Sequence, residues 1–130
     1  MSVIQISNRD IKRSILVTPG WYRVRIDGNS EALSKAGDST NYLFDATILF
    51  NADDKSEEFA DVPTPYWNFN SKAKGFMIPF FVALGEEVIA ESRFDMSNAV
   101  GKEIDVFIEN AIYDGNMKNN INHKYRAPKD

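Results

Sequence analysis

The chain has 130 residues and a mass of 14.7 kDa, with 43% hydrophobic and 26% charged residues, which indicates one folded domain and excludes a disordered chain. Cysteine is absent, which excludes disulfides and thiolate zinc sites, and the net charge of -4 disfavours a strongly basic nucleic-acid-binding protein. The chain has one histidine, His123, so a catalytic triad or an imidazole-rich metal site would have to depend on that residue alone. We therefore expect no enzyme and no metal site. No apolar run is long enough to cross a membrane, and the N-terminus has no apolar signal core, so we expect a soluble cytoplasmic protein without a membrane partner.

The first strand is predicted after a lead-in of residues 1–18 and a turn at Pro19-Gly20. Residues 21–26 alternate with period two, as a half-buried strand does. The side chains expected in the core are Tyr22, Val24 and Ile26. Those expected to face outward are Trp21, Arg23 and Arg25. Residues 27–41 have no apolar periodicity and predict a long mobile loop.

Two further strands are predicted between residues 42 and 69. Residues 42–50 form the second strand, with one row made of Tyr42, Phe44, Ala46, Ile48 and Phe50. Residues 51–58 are polar and acidic and predict a hairpin connection. Residues 59–69 are the third strand or an edge, part of which must leave the sheet because Pro63 and Pro65 cannot donate a ladder hydrogen bond.

One short apolar helix is predicted at residues 78–84. Asn70 or Ser71 is a candidate cap, Pro79 suits a first turn, and Gly85 suits the C-terminal cap.

The chain then predicts a mixed connector over residues 86–98 and a closing hairpin. Ile104, Val106 and Ile108 alternate with polar and aromatic residues in a strand over 103–110. Asp114-Gly115 predicts a tight turn, and residues 117–126 the last strand.

This order of elements predicts a mainly all-β fold, a five-stranded OB-fold barrel with one short helix between strands three and four. Another small barrel or an α+β sandwich of five strands remains the alternative. The expected domain covers residues 19–126, between the lead-in of residues 1–18 and a short tail of residues 127–130. OB-folds bind oligonucleotides or oligosaccharides near strands two and three and the loops after strands one and four.

Several short motifs, in this same order, resemble small phage-encoded single-stranded-DNA-binding proteins. In the first half they are Pro19-Gly20-Trp21-Tyr22 and Ser34-Lys35-Ala36-Gly37. In the second half they are Phe80-Phe81-Val82-Ala83-Leu84-Gly85, Val100-Gly101-Lys102, Tyr113-Asp114-Gly115 and Asn119-Asn120-Ile121. The resemblance implies an OB-fold that coats single strands in bacteriophage DNA replication or recombination, in the host cytoplasm. Many single-strand binders end in an acidic tail that recruits partners, and the sequence RAPKD at residues 126–130 departs from that pattern.

Local charge favours a basic face in spite of the acidic total. Residues 1–25 carry five basic and one acidic side chain, and residues 116–130 carry four and one. Acidic residues concentrate in residues 45–61 and 86–114. The predicted phosphate contacts are Arg23, Arg25, Lys35, Lys72, Lys74, Lys118 and Lys124. The alternative is that these are scattered surface charges that keep the protein soluble.

Binding of single strands without sequence preference also needs aromatic rings that stack on bases. The predicted platforms are Tyr42, Tyr66, Trp67, Phe69 and Tyr113, with at least one of Tyr42, Trp67 and Tyr113 expected to stack. In each case a half-buried packing role is the alternative.

The sequence therefore predicts cofactor-free binding of single-stranded DNA, or of RNA by the same chemistry, with a homo-oligomer or a cooperative assembly on the strand. A phage structural or protein-interaction domain, and a metal-dependent nuclease that uses the acidic clusters, are the competing hypotheses.

Overall fold

The computed structural model describes residues 3–128, so residues 1–2 of the predicted lead-in and 129–130 of the predicted tail lie outside the described residues. Strands dominate, which confirms the mainly β prediction. The helices are α1 (Asn8–Arg13) and α2 (Met77–Ala83), and short 3-10 turns cover Lys74–Phe76 and Met96–Ala99. The strands are β1 (Gly20–Leu33), β2 (Thr40–Asn51), β3 (Asp54–Pro63), β4 (Trp67–Asn70), β5 (Glu103–Tyr113) and β6 (Asn116–Arg126).

All six strands belong to one antiparallel sheet with the order β3-β2-β1-β5-β6, and β4 pairs with β2. Within residues 3–128 the path is open, because the outer strands β3 and β6 are not neighbours in it. The five-strand count is wrong, since the predicted third strand is two strands, and the helix therefore follows the fourth strand.

The core lies on one face of the sheet and follows the predicted rows. Tyr22, Val24 and Ile26 are fully buried, and so are Ile104, Val106 and Ile108 on the neighbouring β5. In the row on β2 the central members are buried and Tyr42 and Phe50 at its ends are half-buried. Burying each large apolar side chain contributes about 1.5–3 kcal/mol, so these rows are a main source of stability.

The predicted loop over residues 27–41 is wrong. β1 and β2 continue as a paired hairpin to the pair Leu33↔Thr40, and residues 34–39 form its turn. On the β1 side of this part of the hairpin, residues 27–33 are exposed or half-buried, so neither face selects apolar residues there and no period appears in the sequence.

Residues 51–69 contain more strand than predicted. β3 already begins at Asp54, so the acidic segment is an exposed edge strand and the predicted connection shrinks to a turn at Ala52 and Asp53. Pro63 ends β3, and the chain leaves the sheet around Pro65 before β4, as the two prolines predict.

The helix prediction is confirmed to within one residue at each end, but its N-terminal cap is not. The prediction that Asn70 or Ser71 caps this helix is wrong, because a 3-10 turn lies between them and the helix. The residue that directly precedes the helix is Phe76, which forms no capping hydrogen bond through its side chain. At the other end Gly85 has a φ of +88°, its N–H donates to the Val82 carbonyl, and the N–H of Glu86 donates to that of Phe81. This is a Schellman cap, in which a glycine with left-handed backbone is favoured.

The closing hairpin is also confirmed. Asp114 and Gly115 both have positive φ, as a type I′ turn requires. Near its other end β6 bulges: Val106 faces Tyr125 and Ile108 faces Ile121, so three residues of β6 oppose one residue of β5. His123 lies in this bulge with a φ of +60°.

Candidate functional site

A surface groove lies between the β5–β6 turn, α1 and the segment before β4, and we call it the hairpin groove. Tyr66, Tyr113 and Lys118 line it, so three of the predicted site residues come together from two distant parts of the chain. Tyr66 is 73% exposed and Tyr113 is 49% exposed. Two accessible aromatic rings and one cation thus share a single surface.

Local structure explains why Tyr66 points outward. The residues on both sides of it are buried, with Thr64 and Pro65 before it and Trp67 after it. The chain between β3 and β4 is therefore anchored on the core at both ends, and Tyr66 is the one position in this stretch whose side chain faces solvent.

The β5–β6 turn orients the second ring. The hydroxyl of Tyr113 donates to Oδ1 of Asn120 across the hairpin at 2.9 Å, and Tyr113 itself pairs with Asn116 in the ladder. The type I′ turn between the strands leaves little backbone freedom. Tyr113 is thus held on a rigid element, which lowers the entropic cost of binding a ligand.

Two asparagines, the buried Asn119 and the half-buried Asn110, tie the hairpin to the segment after α1. Oδ1 of Asn119 accepts from the Val17 N–H at 3.0 Å, and its Nδ2 donates to the Ile15 carbonyl at 2.7 Å. Nδ2 of Asn110 donates to the Val17 carbonyl at 3.1 Å. These bonds fix α1, and with it Arg13, relative to Lys118 across the groove.

The charges that line the hairpin groove are balanced. Arg13 and Lys118 are the cations, and Asp10 and Asp114 are the carboxylates. Hydrogen bonds from Ser7 lower the pKa of Asp10, so that carboxylate is ionised at neutral pH. A ligand in this groove is therefore held by the rings and by local contacts more than by net charge.

Tyr42 and Lys74 lie elsewhere, in a groove beside α2 that we call the α2 groove. Much of its wall is apolar, with Met77, Ile78 and Ile89 among the lining side chains. Its acidic lining residues are Glu31, Glu91 and Asp95. Lys74 is thus outnumbered by carboxylates, which is unfavourable for a phosphate contact.

The prediction that Arg23 contacts phosphate is wrong. Arg23 was expected to face outward, but it is only 7% exposed, and its Nε lies 2.7 Å from Oδ1 of Asp105. Asp105 lies directly opposite Arg23 on β5 and is fully buried, so its charge needs a cation there. Arg126 reaches the other oxygen of that carboxylate at 3.2 Å.

The prediction that Trp67 and Phe69 stack on bases is also wrong, because both rings are buried. Alternate residues of the short β4 face the core, where both rings pack against Phe44 and Phe80. The Trp67 indole N–H donates to the Tyr125 hydroxyl at 2.9 Å. The prolines before β4 hid this alternation in the sequence.

The four remaining predicted cations do not line the hairpin groove. Nε of Arg25 donates to Asp27 at 2.8 Å, and Lys72 forms an ion pair with Asp38 in the β1–β2 turn. Lys35 is exposed in that same turn. Nζ of Lys124 lies 5.6 Å from the centre of the Phe107 ring, on the outer face of the sheet.

Arg13 is the groove residue that the sequence analysis missed. It ends α1, which lies within the lead-in of residues 1–18, where no helix is predicted from the sequence. Ser7 and Asp10 form a capping box at the start of this helix, each bonding the backbone N–H of the other. That Ser-x-x-Asp pattern is the signal that could have found the helix.

Among residues 3–128, no helix is long and apolar enough to cross a membrane, and no group of three or more His, Asp or Glu side chains is placed to hold a metal ion. No model of a known protein family matches the chain, and curated protein sequences give no significant match.

Proposed function

We propose that this chain is a single-stranded-DNA-binding protein of the small phage-encoded kind, which coats strands during replication or recombination by binding alone, without catalysis or a cofactor. The observation that carries the proposal is the pairing of two exposed tyrosines, Tyr66 and Tyr113, with Lys118 in the hairpin groove. Its setting is the cytoplasm of the host cell.

The strand order supports an OB-type fold for the same chain. An OB barrel is a partly open five-stranded sheet that binds ligands near strands two and three and the loops after strands one and four. On this assignment the β1–β2 turn and the β5–β6 turn are the two ligand-binding loops, and β4 is an addition beside β2. Trp67 stacks on Tyr125 with ring centres 5.9 Å apart, which joins β4 to β6 through side chains across the open part of the sheet.

The chemistry of the hairpin groove suits single strands of any sequence. A ring that stacks on a base contributes about 1–3 kcal/mol, and every base offers a face for stacking. Two rings therefore give a useful part of a micromolar affinity, and Lys118 and Arg13 add phosphate contacts. RNA offers the same faces, so the proposal extends to single-stranded RNA with similar affinity.

The test is a titration of fluorescein-labelled oligo-dT and oligo-rU of 20 nucleotides, followed by fluorescence anisotropy in low salt. We expect saturable binding of both, and a large loss of affinity in the double variant Tyr66→Ala with Tyr113→Ala. Leu33→Ala is the matched control, because Leu33 is as exposed as Tyr66 and does not line the hairpin groove. No binding by the unmodified chain, or equal binding by the double variant, would overturn the proposal.

A non-enzymatic structural or protein-interaction domain is the second candidate, and the α2 groove favours it. Exposed aliphatic side chains beside carboxylates are typical of a surface that receives a protein segment. If the chain binds no single strand in the titration, this second function becomes the preferred one.

A further inference from the structure

The α2 groove is an apolar surface that the proposed DNA contact does not use. Ile89 is 64% exposed on its wall, and Ile78 on α2 is about half exposed. Exposed aliphatic side chains that line one groove with carboxylates among them are typical of an interaction surface, in which a polar rim surrounds an apolar centre.

A second unpaired apolar feature is the segment of residues 3–7, before α1, which we call the N-terminal arm. It has neither helix nor strand structure, and Ile4 is 85% exposed, with Val3 and Ile6 also exposed. Three branched aliphatic side chains within four residues make an extended segment that gains by docking in a groove of matching chemistry.

We propose that the N-terminal arm of one copy docks in the α2 groove of the next copy along a coated strand. The contact joins two different surfaces, so copies that follow one another along a strand can repeat it head to tail. An array of that kind follows a nucleic-acid strand of any length. The setting on a strand rests on the proposed function, while the docking itself does not.

Charge complementarity supports a second copy as the occupant. The α2 groove has Glu31, Glu91 and Asp95 against Lys74, so its lining is net acidic. Directly after the arm, α1 carries Arg9, Lys12 and Arg13 against Asp10, a net charge of +2, and Asp45 beside Arg9 and Arg13 reduces this to +1. Docking the arm thus brings the basic helix α1 towards the acidic rim of the α2 groove. This attraction favours one direction of the arm in the groove over the opposite direction.

The size of the contact explains how it would be restricted to the strand. Three aliphatic side chains do not offset the entropy lost when two free molecules associate, so free copies stay apart at micromolar concentration. Adjacent copies on one strand meet at an effective concentration of about a millimolar, at which a weak contact forms. The result is cooperative binding.

The first experiment needs no DNA. A fluorescein-labelled peptide of residues 3–14 is titrated with the full chain, and we expect the anisotropy to rise with half-saturation at about 0.1–1 mM. The protein variant Ile89→Glu is expected to weaken this binding at least about tenfold, whereas Val100→Glu, an exposed position outside the α2 groove, is expected to leave it unchanged. Equal binding by the Ile89→Glu and Val100→Glu variants, or no binding by the unmodified chain up to about 2 mM, would overturn the proposal.

The second experiment identifies the partner. The chain has no cysteine, so Ile4→Cys and Ile89→Cys can be introduced in separate copies, mixed, and oxidised on poly-dT. We expect cross-linked dimers that depend on both variants. A chain carrying both cysteines that forms only an internal disulfide would place the arm in its own groove and overturn the proposal.

The third experiment separates this proposal from the proposed function. Ile4→Glu is expected to bind an oligo-dT that holds one copy as the unmodified chain does, and to lose about tenfold in cooperativity on poly-dT. Unchanged cooperativity with intact binding of the short strand would overturn the docking proposal alone. If the unmodified chain does not bind the short strand, the proposed function is overturned instead. The peptide titration would then still test whether the N-terminal arm docks in the α2 groove.

Discussion

At the scale of single residues, the direction in which the backbone points each side chain decides which aromatic rings can contact a ligand. Tyr66 and Trp67 are neighbours, yet one faces solvent and the other is buried. The sequence could identify the aromatic segment but not this difference, because Pro63 and Pro65 interrupt the alternation from which facing is inferred.

Replacing Tyr66 gives the sharpest test of the hairpin groove. We expect Tyr66→Ala to weaken oligo-dT binding about 5–100-fold, the equivalent of one base stack, and Tyr66→Phe to retain the affinity because the ring remains. Anisotropy titrations measure both. Because Tyr66 is exposed, neither change should alter the urea midpoint, and an unchanged affinity in Tyr66→Ala would contradict the role of this ring.

The buried ion pair of Arg23 predicts a loss of stability and not of binding contacts. Arg23→Ala leaves Asp105 buried with Arg126 as its remaining charged contact in the structure. Removing one partner of a buried pair costs about 3–5 kcal/mol, and urea unfolding should show a loss of that order. Arg25→Ala is the control on the same strand, since Arg25 is exposed, and it should cost no more than about 1 kcal/mol. Equal losses in the two variants would contradict this account.

At the scale of elements, local turn chemistry made some parts predictable. The α2 helix and the β5–β6 turn follow from Gly85 and from Asp114-Gly115, whose backbone requirements are short-range. The long β1–β2 hairpin has no such signal, since residues 27–33 on its β1 side contribute no buried side chain. The bulge at His123 was equally hidden, because it depends on how β6 meets β4 and α2.

That bulge predicts a pH dependence of stability. Burial lowers the pKa of His123, and its Nδ1 lies 2.8 Å from the Tyr125 hydroxyl, against the Phe69 and Phe76 rings. The folded state therefore favours the neutral imidazole over the charged one. This contribution is fully present above the ordinary histidine pKa of about 6.5 and is lost as pH falls through the lowered value.

Urea unfolding between pH 8 and pH 5 measures the effect, and His123→Gln is the control that removes the titration. We expect the stability of the unmodified chain to fall more over this range than that of His123→Gln. Parallel curves for the two proteins would show that His123 does not contribute.

At the scale of the whole molecule, the structure changes what the net charge of -4 means. The sequence does contain basic segments, but several of the cations in the chain pair with carboxylates that are distant in the sequence. Arg9 and Arg13 contact Asp45, Arg23 and Arg126 contact Asp105, and Lys72 contacts Asp38. The sequence could count these charges, but pairs formed over long separations in the chain are set by the fold.

This pairing leads to a quantitative expectation for salt. Each phosphate neutralised on a single strand adds about -0.7 to the slope of log affinity against log salt concentration. The seven cations predicted from the sequence would together give about -5. Arg13 lies 3.9 Å from Asp45, which Arg9 holds more closely at 2.7 Å, so Arg13 stays available to a phosphate, and together with Lys118 in the hairpin groove it gives about -1.4. We therefore expect a shallow slope for oligo-dT between about 50 and 300 mM NaCl.

Lys118→Ala should reduce the magnitude of this slope by about 0.7. Lys35→Ala, which changes an exposed lysine outside the hairpin groove, should leave the slope unchanged. A slope steeper than about -3 would mean that the strand follows the other cations and that the hairpin groove is not the main contact.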